Sequence, residues 1–384
     1  MQLIKSMVAS PAAPAASLVA HLEACIVCRA CETACPSAVP FGRIMEDARA
    51  MLRERAPRTG RERLLERVGL GIIVRPRLLA LGALLGTLYV RSGLGTLARR
   101  LLPRRLRDLE GLLARREGVP FAPVERSDAT AALFAGCIMR AAYGETDRAT
   151  VRLLERAGAV VASPADQTCC GALHAHAGDA EGARALARTN VAAFGAGDAP
   201  IVVNAAGCGA QLKAYGHVLA DDPAWAVRAR AFAARVRDLS EVLPIAALPA
   251  AGGRAPVAMA TPTPARGRPL RVVYQDACHL AHGQRIRVQP RALLAAIEGV
   301  TFVPIADPDR CCGSGGIYNL THPAVAGELG QAKAAAILAA RPDVVVSANP
   351  GCLLQVAAAL RASGSEVPVV HLARFLDHPA GIVQ

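Results

Sequence analysis

The chain has 384 residues, 53% of them hydrophobic and 20% charged, with 34 Gly and 26 Pro scattered along it. That length and composition suit two or three compact domains and exclude a disordered or fibrous chain. The formal net charge is +13, but Lys5, Lys213 and Lys333 are the only lysines, and one Trp, five Tyr and seven Phe leave few platforms for stacked bases, so the arginine-dominated charge is not read as the mark of a nucleic-acid partner.

In chain order, "SPAAPAA" interrupts any apolar core that could follow Lys5, so no secretory signal is expected. A cytoplasmic chain keeps its thiols reduced, and the 12 cysteines are then available as metal ligands. The next feature is "CIVCRACETACP". Its order Cys25-x2-Cys28-x2-Cys31-x3-Cys35-Pro36 is the bacterial spacing for a cubane [4Fe-4S] cluster. Two-residue gaps let one tight loop present three thiolates, and the fourth, before proline, ligates a neighbouring cluster. Zinc more often takes two Cys-x2-Cys pairs set well apart. Residues 1–50 are therefore predicted to form a small helical head of the ferredoxin type, and 51–125 an arginine-rich helical connection.

That connection contains "LLALGALLGTLYV", Leu78 to Val90, which is 13 residues long and short of the ~18 needed to span a bilayer. No transmembrane helix is expected. Leu78, Leu81, Leu85 and Leu88 recur at helical spacing, and the favoured reading is a helix packed on the core. The second reading takes the six arginines without an acid from Arg91 to Arg107 as the flank of a helix lying on an anionic membrane surface or against an acidic partner. Gly93 to Ala98 matches Gly-x-Gly-x-x-Ala with no strand before it, and is not read as a dinucleotide site.

The other eight cysteines repeat. Cys137, Cys169, Cys170 and Cys208 are followed by Cys278, Cys311, Cys312 and Cys352, at offsets of 141, 142, 142 and 144, which implies a duplicated unit. "AALFAGC", "IVVNAAGC", "RVVYQDAC" and "DVVVSANPGC" read as buried strands ending near a cysteine, "CCGALHAH" and "CCGSGGIY" as glycine-bearing loops, and Asp179–Phe194 and Pro323–Ala340 as helices. The fold class is α/β, with parallel sheets in two duplicated domains, 126–247 and 270–384, and the cysteines at the carboxyl ends of strands. Residues 248–269, dense in Pro, Gly and Ala, are read as the linker. In extended chain the adjacent cysteines Cys169-Cys170 and Cys311-Cys312 would diverge. A tight loop through Gly171 or Gly313 converges them for metal ligation, the alternatives being a vicinal disulfide or a buried apolar pair. His174, His176, His279 and His282 lie close in sequence to these cysteines, as loop residues, ligands or donors to sulfur.

The stretch "HLEACIVCRACETACPSAVPFGRI" is similar to the second cluster-binding segment of the iron-sulfur subunits of bacterial glycolate oxidase, and "LFAGC", "TCCGALHAHAGD", "DACHLAHGQ", "RCCGSGGIYNL" and "NPGCLLQ" resemble that family's two CCG repeats, of the heterodisulfide-reductase type. Two departures stand out. The family carries a first cluster motif before a helix inside which "MQLIKSMV" begins; a start site placed too late is the favoured explanation, with Cys35 ligating the cluster of that other motif. The heterodisulfide-reductase repeats have a fifth cysteine where this chain has Gln211 and Gln355, which leaves the metal of the repeats open between an iron-sulfur cluster and zinc.

The resemblance implies a hetero-oligomer in which FAD-bearing partner subunits oxidise glycolate. Removing two electrons from a 2-hydroxy acid is flavin chemistry, and iron-sulfur clusters take electrons singly. This chain would be the non-catalytic wire, without its own flavin, passing electrons towards a membrane quinone, cytoplasmic and peripheral on the inner face of the membrane. The rival readings are a disulfide reductase of the heterodisulfide type, a subunit serving lactate or glycerol-3-phosphate, and a zinc-stabilised scaffold.

Overall fold

A computed structural model of the chain describes residues 1–10, 12–95, 110–113, 116–248 and 268–379. The head comprises α1 (Gln2–Ala9), α2 (Ala16–Glu23), the short α3 (Ala30–Ala34) and α4 (Phe41–Arg55). Along α4 the buried residues Met45, Ala48 and Leu52 share one face. They pack with Ile4, Met7, Leu22 and Val27 into a core of the head's own. Helix α4 runs through the expected boundary at residue 50 and ends only at Ala56.

Two helices follow. Thr59 and Glu62 form a reciprocal capping box that starts α5 (Gly60–Ile73), and Pro76 opens α6 (Pro76–Arg91) after a bend of 93°. The helix expected over Leu78 to Val90 forms and packs on the helix Ile138–Ala142, with Ala83 against the cluster of Met139, Ala142 and Leu353, but the leucines of its period face outward. No residue of α6 is buried, and Leu81, Leu85 and Leu88 are 51%, 56% and 54% exposed. The periodicity correctly predicted an apolar face, and the rest of the fold does not cover it. No single helix among the described residues is long and apolar enough to cross a membrane. The arginines from 99 to 107, residues 96–98 of the glycine motif and residues 249–267 of the expected linker lie outside the described residues.

The remainder is built twice. Strands β1 (Ala131–Phe134), β2 (Val161–Ala162), β3 (Ile201–Val203) and β4 (Val236–Asp238) form one parallel sheet in the order β2-β1-β3-β4. Strands β5 (Leu270–Tyr274), β6 (Val300–Phe302), β7 (Val344–Ser347) and β8 (Val369–His371) form another in the equivalent order β6-β5-β7-β8. The central strands β3 and β7 are buried throughout, as continuous apolar runs covered by helices on both faces must be. Leu133 and Val202 of the first sheet belong to the same core as Val273 and Val345 of the second. Across the junction, Arg152 and Arg156 pair with Asp377, and the Ala206 amide donates to the carbonyl of Ala348 at 2.9 Å.

Candidate functional site

Each strand-to-helix turn places one cysteine where sequence reasoning expects it, beyond the carboxyl end of a central strand. Cys137 follows β1, Cys208 sits in the helix Ala206–Lys213 after β3, Cys278 follows β5, and Cys352 sits in the helix Pro350–Ala362 after β7. The vicinal pairs come in on loops. Gly171 and Gly313, at φ +85° and +93°, turn the chain immediately after each pair.

In the first repeat the four thiols touch in series. Cys137 Sγ lies 3.6 Å from Cys169 Sγ, Cys169 contacts Cys170, and Cys170 contacts Cys208. Hydrogen bonds from Cys137 and Cys170 drive Cys169 well below the ordinary thiol range, while the hydrogen bond it gives and its burial push Cys137 well above it. One negative charge is thus stabilised, and further thiolates there need a cation. The second repeat repeats the series through Cys278, Cys311, Cys312 and Cys352. Two N–H groups face its sulfurs, Gly313 N to Cys311 and Asn349 Nδ2 to Cys352, each at 3.5 Å. All the cysteines are free thiols.

Two pinning residues carry no local signature that sequence reasoning used. Asn190, buried in the helix Ala180–Ala193, accepts from Thr168 N at 2.8 Å and donates to the carbonyl of Cys169 at 3.0 Å. Tyr215 donates to the carbonyl of Cys170 at 2.9 Å. The counterpart of Asn190 is Lys333, fully buried in the helix Pro323–Ala339, whose ammonium donates to the carbonyls of Asp307 and Pro308 at 2.8 and 3.1 Å, just before Cys311. A lysine in a run of Ala and Leu carries no mark in the sequence of which way it faces.

The head loop turns through Val27 and Arg29 at φ 56° and 64°, unusual for non-glycine residues and strained for β-branched Val27. Cys25, Cys28 and Cys35 are partly covered and Cys31 is exposed. Burial raises Cys28, and the neighbouring Cys278 and Cys25 raise it further. The loop is therefore seated against the second repeat. Tyr318 Oη donates to the carbonyl of Ala24 at 2.9 Å, and Arg49 bridges from the carbonyl of Cys25 to that of His176 in the first repeat, at 2.9 Å to the latter.

The histidines divide by role. His282 Nδ1 receives Arg287 Nη2 at 3.1 Å; since a guanidinium only donates, Nδ1 is the acceptor, and the Thr33 hydroxyl of the head reaches it at 2.9 Å. His282 thus fastens the head. His279 Nδ1 lies 3.5 Å from Cys278 Sγ, and burial, aided by His176, Arg29 and His282, pushes its pKa down to about 3, so the ring is neutral. His176 faces Glu46 at 3.1 Å. His174 lies beside Cys169, buried, with no partner for Nδ1 among the described residues.

Among the described residues no three Cys, His, Asp or Glu side chains are disposed around a single-ion centre. The donor set of each repeat is nonetheless four sulfurs, the composition that soft iron-sulfur and zinc centres take. Around the first set two buried polar groups are orphaned, His174 Nδ1 and, one turn beyond Cys208, Gln211 Nε2. Gln355 is satisfied instead, by Asn319 and the carbonyl of Ala326. Polar groups buried without partners beside a thiol cluster fit a bound inorganic group with acceptor atoms.

Comparison with known proteins agrees with this arrangement. The cysteine-rich domain family designated CCG matches residues 131–213 and 272–357. The chain is 36% identical over 381 residues to a probable glycolate oxidase iron-sulfur subunit of Bacillus subtilis, covering 94% of this chain and 82% of that one. It is 31% identical over 350 residues to the glycolate oxidase iron-sulfur subunit of Escherichia coli, covering 89% and 79%. A lactate utilization protein A of Exiguobacterium is 29% identical over 248 residues, 64% of this chain and 96% of that one.

Proposed function

Because the chain belongs to the family of glycolate oxidase iron-sulfur subunits, we propose that it is the electron-transfer subunit of a flavin-dependent 2-hydroxy acid dehydrogenase, glycolate being the substrate of the complex. In this reading Cys25, Cys28 and Cys31 hold a [4Fe-4S] cluster of the head and Cys35 ligates its neighbour. Each CCG repeat holds an iron-sulfur centre on Cys137, Cys169, Cys170 and Cys208, or on Cys278, Cys311, Cys312 and Cys352. When bound, these centres supply one-electron steps between an FAD-bearing partner subunit and a membrane quinone.

The observation that carries the reading is that the head loop is seated on the second repeat, with Tyr318 Oη donating to the carbonyl of Ala24 at 2.9 Å and the Thr33 hydroxyl reaching His282 Nδ1 at 2.9 Å, which brings Cys28 near enough to Cys278 for a charge there to raise it. The chain's own residues then have plain tasks. Arg49 and Tyr318 hold the head loop by its carbonyls, Asn190, Tyr215 and Lys333 hold the loops of the vicinal cysteines, and neutral His279 lines the path between head and second repeat without adding charge.

The test is anaerobic reconstitution of the full chain followed by iron, zinc and acid-labile sulfide analysis and reduction with dithionite. Matching iron and sulfide with a paramagnetic signal on reduction are expected. A colourless preparation containing zinc and no labile sulfide would overturn the proposal in favour of a scaffold.

A further inference from the structure

Half of the large hydrophobic side chains that the described residues leave exposed lie between residues 64 and 94. Leu64, Leu65 and Val68 stand out on α5, and Leu81, Leu85 and Leu88 on α6. What surrounds them is positive. From Arg67 to Arg107 the sequence has nine arginines and no Asp or Glu. On the described part, Arg61, Arg67, Arg75, Arg77 and Arg91 are exposed and make no ion pair among the described residues. The two acids of α5 are already engaged, Glu62 in the capping box with Thr59 and Glu66 with Arg53 and Arg58.

We propose that the α5–α6 pair is a membrane-docking surface whose occupant is an anionic phospholipid bilayer, into which the aliphatic face dips while the arginines meet the headgroups. Charge and geometry both select this occupant. A second copy of the chain would bring one acid-free arginine cluster against another. A straight single-helix span is excluded by the 93° bend and by length, since the 16 residues of α6 rise only about 24 Å. A helix that is apolar on one face, flanked by arginine and too short to span lies in the plane of the interface. Tyr89, at the end of α6, is a residue type favoured at that depth. The inference deepens the reading above by naming the surface that brings the chain to a quinone-bearing membrane.

The experiment is flotation of the reconstituted full chain with vesicles of phosphatidylcholine alone or mixed with phosphatidylglycerol. Binding to the anionic vesicles is expected, weakening with salt. The variant L81E/L85E should lose at least ~10-fold of that binding. The variant R75E/R77E should lose about 10-fold on anionic vesicles and little on neutral ones. All four side chains are exposed, so iron content, labile sulfide and the dithionite signal should stay at wild-type values. Those readouts are taken on the same samples, so failure of the electron-transfer reading shows separately. Wild-type protein that floats with neither vesicle, or L81E/L85E that floats like wild type, overturns the proposal. So does abolition of flavoprotein-subunit binding by L81E/L85E with vesicle binding unchanged, which would make the face a protein interface.

Discussion

Replacing Gly313 by alanine should damage the second repeat far more than replacing Gly171 damages the first, although the two glycines follow equivalent cysteine pairs. Both lie at positive φ, where an L side chain costs about 1–2 kcal/mol. The surroundings differ. A Cβ on Gly171 would meet Ala183 at 3.4 Å, an ordinary contact, whereas one on Gly313 would stand 2.3 Å from the carbonyl oxygen of Ala326 in the helix Pro323–Ala339. Backbone cannot yield as a side-chain tip does, so relief needs the helix or the Cys311-Cys312 loop to move by about 1 Å, an overpacking cost of roughly 1–3 kcal/mol more. We expect G171A to cost about 1–2 kcal/mol and G313A about 2–5 kcal/mol. In thermal unfolding of the anaerobic protein, followed by circular dichroism, the Tm of G313A should fall about twice as far. Equal shifts would refute the claim that Gly313 is required by close approach to Ala326 and leave only its backbone conformation.

Burial pushes the pKa of Asp147 up to about 8 even though Asn204 donates to it at 2.8 Å, so the folded state holds a proton that the unfolded state releases near 4. Its contribution to stability is full below about pH 4 and is lost as pH rises through about 8, at up to ~1.4 kcal/mol per unit. Asp147→Asn should flatten the fall of Tm with pH over that window, and an unchanged slope would contradict the assignment. Arg49→Met leaves the carbonyls of Cys25 and His176 without their charged donor; a loss of about 2–4 kcal/mol and faster proteolysis within residues 1–55 are expected, with Arg49→Lys intermediate because an ammonium cannot fork to both.

The duplicated architecture was legible because two constraints coincide in the chain. Parallel strands buried on both faces must be largely apolar runs, as in Val344–Ser347, and the cysteines mark the carboxyl ends of those runs at offsets of 141 to 144. Nothing equivalent announces a contact between distant segments. Arg49 lies on α4, 127 residues from the His176 carbonyl it reaches, and reads in sequence as one more arginine of a polar helix face. Lys333 was equally silent: an alanine-rich helix tolerates a lysine on its solvent side, and only the fold turns it inward to Asp307 and Pro308. For α6 the period specified which residues share a face, but a period is blind to whether a neighbouring element covers that face, and here none among the described residues does.

The head loop and the loops of both vicinal cysteine pairs are gripped by distant side chains at their carbonyls. Arg49 takes the carbonyl of Cys25, Tyr318 that of Ala24, Asn190 that of Cys169, Tyr215 that of Cys170, and Lys333 those of Asp307 and Pro308. The arrangement holds the backbone while the thiols keep their lone pairs for ligation. It makes docking of the head separable from anything bound by its cysteines. Cys25→Ser should therefore lower the iron and sulfide bound by the full chain while proteolysis of the head stays as slow as in wild type, because the carbonyl contacts of Ala24 and Cys25 survive the substitution. If the serine variant instead releases the head to protease as fast as Arg49→Met does, the bound group and not the carbonyl grip is what seats the head between the repeats.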